Sequence, residues 1–231
     1  MVLKEIEMDL PYVRDINPEQ LSEDDIKLDY ELNWKEKRRR FQLMTRCMTS
    51  MIERIIPRIT TKDCWKILVE CVEKPSGKEI KNLLGVYSIQ VPFDISIFWE
   101  MNGLDKKKYV VTKIREAIRI IAQYNSFDVR GIENACNKVE SLNYVNEWHW
   151  SKTVKCKQIS AQVKVLHEVE RVTISLVFKD STQKSCKEKI LVSDIPDERV
   201  YSKYLGKLEW ISVGKARLST KNGEYFIASY E

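Results

Sequence analysis

Two side chains in this 231-residue chain are suited to carrying protons near neutral pH, His149 and His167. They stand too far apart in sequence, with no cysteine pair beside either, to read as a zinc site. His149 sits between Trp148 and Trp150; on a strand it faces away from both tryptophans, so indoles in the core put the imidazole on the surface. His167-Glu168 reads as a solvated strand end. The six cysteines, at 47, 64, 71, 136, 156 and 186, are scattered without a C-x-x-C pair. They read as reduced, mostly core thiols of a cytosolic protein.

Other chemistry is equally thin. No nucleophile elbow, phosphate-cradling glycine loop, dinucleotide fingerprint or H-E-x-x-H helix occurs. The nearest approach to a metal-dependent nuclease signature is Glu79-Ile80-Lys81, on an expected short helix, and Asp180, Glu188 and Asp194 read as turn and edge-strand carboxylates. The expectation is a protein without catalytic residues, metal or cofactor.

The charged and aromatic residues suggest binding instead. Lys35-Glu36-Lys37-Arg38-Arg39-Arg40 is a basic run of the kind that neutralises phosphates or meets an acidic protein surface. It also follows an acidic segment able to pair with it internally. Residues 1–31 carry ten acidic and three basic side chains, a net of −7; residues 32–146 carry thirteen and twenty-one, a net of +8. Trp148, Trp150, Trp210 and Tyr225 are the aromatic candidates for a partner surface. Tyr225 and Phe226 alternate, so one of them must leave the sheet's inner face, and covering by the helical region is the default expectation. Met44, Met48 and Met51 share a stripe with Phe41 and Ile55 and read as core.

The period of the apolar residues changes near Leu142, from every third or fourth position to every second. This predicts an α+β chain: a helical N-terminal region followed by an antiparallel β-sheet or small barrel-like C-terminal region. Residues 1–31 form an acidic arm, with a short helix opening at Asn17-Pro18; 32–144 form the helical region; 147–231 form the β-rich region. Within the helical region the spacing predicts helices from about Asn33 to Ile56, Lys62 to Glu73, a short one ending at Leu84, Asp105 to Tyr124 and Asp128 to Leu142. Gly85 to Val91 reads as an isolated strand and Pro92 to Met101 as a helix. Pro196 to Tyr204 reads as one or two helical turns, and Asn222-Gly223 as a hairpin turn with positive φ available at both positions.

With 43% hydrophobic residues, 7 glycines and 6 prolines, the chain can bury a core and has no linker-like tract. No apolar run spans a bilayer, and the N-terminus does not resemble a signal peptide. The expectation is a cytoplasmic, non-enzymatic protein-binding module, best read as an inhibitor or immunity-type protein whose partner is a toxin or effector protein. Lysine- and isoleucine-rich usage suits a low-GC bacterium or phage. A nucleic-acid-binding regulator using residues 35–40 is the first alternative, and a hydrolase with a nonstandard carboxylate metal site the second.

Overall fold

The computed structural model describes residues 1–13, 22–77, 80–124 and 127–230. The chain divides into two compact units, Met1–Tyr144 and Val145–Glu231. The architecture is α+β, and the C-terminal strands form separate sheets rather than a closed barrel.

The first unit contains a sheet as well as helices. Its strands are β1 (Glu5–Asp9), β2 (Lys66–Val72), β3 (Lys81–Leu83) and β4 (Val86–Pro92), in the order β1-β2-β4-β3. β1, β2 and β4 run parallel, and β3 pairs antiparallel with β4. This corrects four expectations. Residues 5–9 are a strand rather than a loose arm, and Gly85 to Val91 belongs to the middle of a sheet. The segment expected as a helix over Lys62–Glu73 is largely the central strand β2. Its Trp65, Leu68, Val69 and Val72 fit a helical stripe, but Ile67, Val69 and Cys71 fit an alternating one, and pairing on both sides selects the strand. Thr61 does cap: its hydroxyl accepts the Cys64 amide, closing a turn rather than starting a helix. The short helix expected before Leu84 is replaced by β3 at its described end, residues 78–79 lying outside the described residues.

One sheet face is apolar. Ile6, Met8, Ile67, Val69, Ile89 and Val91 are buried, while the alternating positions are mostly half-buried and include Glu5, Glu7, Lys66, Glu70, Ser88 and Gln90. The helices are α1 (Glu23–Asp29), α2 (Lys35–Ile55), α3 (Ile95–Glu100), α4 (Gly103–Gln123) and α5 (Arg130–Ser141). A π-helical turn, Tyr30–Trp34, joins α1 to α2. α2 packs on β1, α4 on β2 and β4, and α5 on both of these helices. The methionine stripe is core: Phe41, Met44, Met48 and Met51 are buried, with Phe41 edge-on to Phe93 and Phe98 at 5.3 and 5.5 Å. Each such ring contributes about 2 kcal/mol by leaving water. Ser22 caps α1 with a reciprocal bond from Asp25; the expected helix start at Asn17-Pro18 lies outside the described residues. α3 is capped by Asp94 and α4 by Asn102, each a residue or more from the expected starts.

In the second unit, β5 (Glu147–Cys156), β6 (Ile159–His167), β7 (Val172–Asp180) and β8 (Ser185–Asp194) form one antiparallel sheet in sequence order. β9 (Lys207–Ser212), β10 (Lys215–Ser219) and β11 (Tyr225–Ser229) form another, in the order β11-β10-β9. Between the sheets the chain makes α6 (Glu198–Tyr201) and a 3-10 turn (Ser202–Tyr204), within the expected short helical segment. Inward residues of both sheets share one core: Ala161, Val163, Val165, Ile174, Leu176 and Phe178 against Leu208, Ala216, Leu218 and Ala228. Tyr201 and Tyr204 join it.

His167 belongs to this interior rather than to a solvated turn. It is fully buried, its amide donates to the Asn146 carbonyl at 2.9 Å, and its ring lies edge-on to Tyr201 at 5.7 Å. The β6 alternation that buries Val163 and Val165 continues to its last residue. All six cysteines are free thiols, four of them buried, and burial pushes the Cys136 thiol up to about 12.

The Tyr204 hydroxyl donates to Asp194 at 2.6 Å, which holds that carboxyl below its ordinary range. A carboxylate with a lowered folded pKa stabilises the fold above its unfolded pKa, near 3.9. That stability disappears as pH falls through the folded value. Tyr204→Phe should therefore cost roughly 1 kcal/mol at neutral pH, with the difference closing as pH falls through the carboxyl's lowered folded value. Urea unfolding of both proteins across pH checks it; a pH-independent difference would show that ring packing, not the hydrogen bond, matters.

Candidate protein-binding surface

The C-terminal hairpin is built from a strictly alternating stretch and a glycine turn. β10 and β11 pair from Lys215↔Ser229 to Ser219↔Tyr225, and the Thr220 amide adds a bond to the Glu224 carbonyl. The loop is thus three residues long. Gly223 donates back to the Thr220 carbonyl and has φ +92, whereas Asn222 does not enter the positive-φ region. This is the three-residue hairpin in which a turn is followed by a left-handed glycine, not the two-residue form the Asn-Gly pair predicts. Gly206 fixes the hairpin from behind: a Cβ there would stand 2.4 Å from the Ser219 carbonyl oxygen.

Alternation then divides the side chains. Leu208, Trp210, Ala216, Leu218, Phe226 and Ala228 turn inward. Lys207, Glu209, Arg217, Tyr225 and Ile227 turn outward. A register shift places Ile211 as the extra residue of a bulge between Trp210 and Ser212, and its side chain is exposed. Val213 is exposed at the adjoining turn, where Gly214 has φ +75. Arg217 lies opposite both Glu209 and Ile227. Its guanidinium contacts the Glu209 carboxylate at 2.5 and 3.0 Å and sits 5.7 Å from the Tyr225 ring centroid. Lys207 and then Arg217 hold the Glu209 carboxyl below its usual range.

The outer face therefore presents exposed Ile211, Val213, Tyr225 and Ile227 with a tyrosine–arginine pair among them. Tyr225 is 59% exposed. Exposed Lys207, Lys215 and Lys221 surround the face. Such a face can bury apolar area and order charges.

The other aromatic candidates go elsewhere. Trp148, Trp150 and Trp210 are half-buried against the core of the second unit, with Trp210 5.9 Å from Phe178, and His149 is exposed as alternation requires. Sequence reasoning found Tyr225 and missed Ile211, Val213, Arg217 and Ile227. The outward parity of Arg217 and Ile227 was legible once Tyr225 was placed. So was that of Ile211, which alternates with Trp210 on β9.

The basic run is engaged within its own unit. Arg38 makes a two-pronged contact with Asp9, each nitrogen–oxygen distance 2.7 Å, and Asp9 raises the Arg38 pKa. Lys35 pairs with Glu31 at 2.6 Å, Lys37 lies over the Trp34 ring at 4.6 Å, and Arg40 lies 5.0 Å from the Trp99 ring. Arg39 is exposed. Glu79 lies outside the described residues. Asp180 is buried, binding the amides of its own turn, and Glu188 and Asp194 sit on β8. Among the described residues no three carboxylate, histidine or cysteine side chains gather to hold a metal ion. No helix of the described residues is long and apolar enough to cross a membrane.

Comparison with family models, with curated proteins and with solved structures gives no match.

The Arg38–Asp9 contact makes one nominal binding residue a stability residue. Asp9 is buried, and breaking a buried pair costs about 3–5 kcal/mol. Arg38 keeps a third of its side chain in water, which reduces the expected cost of Arg38→Ala to roughly 1–2 kcal/mol. Lys35→Ala, at an exposed pair, should change stability by less than about 0.5 kcal/mol. Urea unfolding checks the contrast, and equal midpoints for the two variants would refute it.

Proposed function

We propose that this chain is a non-catalytic protein-binding module of the inhibitor or immunity type, which silences a toxin or effector by covering it with the outer face of β9–β11. The observation that carries the reading is the exposed Tyr225 beside Arg217, with Ile211, Val213 and Ile227 on the same face. Tyrosine and arginine are the residue types that dominate binding energy at protein interfaces, and an exposed apolar face of this kind marks such a surface. The partner this face suits has an apolar patch bordered by acids, facing Lys215 and Lys221.

Supporting the same reading, the basic run offers a nucleic acid less than its sequence suggests, because Arg38 is committed to Asp9 and Lys35 to Glu31. Six free thiols favour a reducing cytoplasm as the place of action. Binding is steered by the lysines and held by the apolar centre, with no chemical step.

The test is affinity capture from the native lysate after nuclease treatment, with the natural sequence and with Tyr225→Ser and Ile227→Asp variants. A stoichiometric protein partner should survive moderate salt, and its affinity should fall roughly 30-fold or more in the variants. Recovery of nucleic acid without protein, or a partner indifferent to both substitutions, would sink the proposal.

A further inference from the structure

Each sheet ends in two edge strands, and among the described strands every edge but one carries a device against pairing with another chain. β1 is covered by side chains of α2, with Glu53 accepting the Ile6 amide, and β3 has three residues, one of them Lys81. β5, β8 and β9 each border a register shift and carry lysine: Lys152 and Lys155, Lys187 and Lys189, and Lys207. β11 has none of these. Its sequence, Tyr225-Phe226-Ile227-Ala228-Ser229, holds no charge and no proline, and its pairing with β10 has no bulge.

The open side of β11 can be assigned residue by residue. The Thr220 amide donates to the Glu224 carbonyl at one end of the hairpin and the Tyr230 amide to the Gly214 carbonyl at the other, each at 2.8 Å. Peptide groups alternate in direction along an antiparallel ladder. Phe226 and Ala228 therefore bond β10, while the N–H and C=O groups of Tyr225, Ile227 and Ser229 point away from it. Ser185 and Lys187 of β8 meet the side chain of Tyr230, just past the strand, and no ladder joins β8 to β11.

This edge is complementary to itself. Turned antiparallel about Ile227, a second β11 sets Ile227 against its own copy, Tyr225 against Ser229 and Phe226 against Ala228. Each aromatic side chain then lies opposite a small one. The register also uses every outward peptide group of the strand: Ile227 exchanges both bonds with its copy, and Tyr225 exchanges both with Ser229 at either end. The charges at the ends match as well. Among the described residues neither Glu224 nor Lys187 has an ion pair, and both are exposed. Glu224 comes opposite Tyr230 of the second copy, over whose ring Lys187 lies at 4.8 Å. Lys215 and Arg217 lie one strand back on β10, with Arg217 held by Glu209, so no like charges meet across the edge.

We infer that a second copy of this chain pairs here, β11 against β11 about a two-fold axis through Ile227, joining the two three-stranded sheets into one. A five-residue pairing is a small contact, so its dissociation constant should lie on the order of 10–100 μM. The inference does not rest on the partner-binding reading of the outer face, because it uses the peptide groups at the strand's edge.

Sedimentation of the full chain at concentrations up to about 500 μM tests it and should show a dimer. Ser229→Pro removes one outward N–H and sets a ring in the open edge, while the bonds to β10 and the side chains of Tyr225 and Ile227 stay in place. It should weaken the dimer about tenfold or more with unchanged circular dichroism. Ile227→Lys, at an exposed position, places two like charges on the axis and should give monomer only. In a Cys186→Ser background, which removes the exposed native thiol, Ile227→Cys should cross-link to its own copy on mild oxidation. Ile211→Cys, on the same face but two strands from the edge, should not. A monomer at every concentration would overturn the inference. So would a dimer that tolerates both Ser229→Pro and Ile227→Lys, or cross-linking no faster at position 227 than at 211.

Discussion

An edge strand carries backbone donors and acceptors that no neighbouring strand satisfies, and β1 is such a strand. The way its open edge is closed sets the layout of the first unit. α2 runs along it and supplies side chains where a strand would supply peptide groups. The Ile6 amide donates to Glu53 at 2.8 Å, and Arg46 holds Glu53 in place with contacts of 2.7 and 2.9 Å. Further along, Gln42 reaches Glu7 and Asp9, and Arg38 clamps Asp9. These four helix residues recur at positions 38, 42, 46 and 53, close to helical periodicity. The polar stripe of α2 is therefore as tightly specified as its methionine stripe. The apolar side fills the core; the polar side blocks pairing with a foreign strand.

The second unit meets the problem of β-sheet faces differently. Two sheets share one apolar interior, so alternate positions on β6, β7, β9, β10 and β11 are spoken for. On the outer face of the larger sheet, Lys164 stands between Glu147 and Glu188 at 3.5 and 2.5 Å, a cross-strand arrangement of charges expected where a sheet meets water. The outer face of the smaller sheet departs from that pattern. Arg217 and Glu209 satisfy each other, while Tyr225, Ile227, Ile211 and Val213 remain exposed around them. Apolar residues in positions where the neighbouring sheet uses charges are what separates this face from an ordinary solvated one. The bulge at Ile211 adds to the contrast, since the extra residue keeps the outward parity of Lys207 and Glu209 and adds an apolar side chain to that face.

How much of this the sequence disclosed depends on whether an element's pattern admits one reading or two. The period-two stretches around Val163, Ile174 and Leu218 allow only strands, and the stripe from Phe41 to Met51 allows only a helix. β2 allows both, because it is a short apolar run whose identity is decided by β1 and β4 on either side. Both partners come from outside its own sequence window, so local periodicity could not resolve it. His167 was misjudged for a related reason: a polar residue at a strand end looks solvated until the ring of Tyr201, thirty-four positions later, closes over it. The binding face was half legible. Tyr225 declared itself through alternation with Phe226, whereas its setting depended on cross-strand register with Arg217.

Charge was the feature most easily misread. The block at residues 35–40 looks uniform in sequence, yet the fold divides it. Arg38 turns to a buried carboxylate twenty-nine positions earlier, while Lys37 and Arg40 lie over indole rings. The acidic segment is divided in the same way: Asp9 is interior, Asp29 is bonded to Tyr12, and Asp24 faces outward. Net charge by segment counts these residues alike, although a buried pair acts on folding and an exposed one on encounter. The quantity relevant to a partner is the charge left after the fold has used its share. On the β9–β11 face that remainder is Lys215 and Lys221. It cannot be obtained from the sequence totals, because it emerges only when Glu209 is assigned to Lys207 and Arg217.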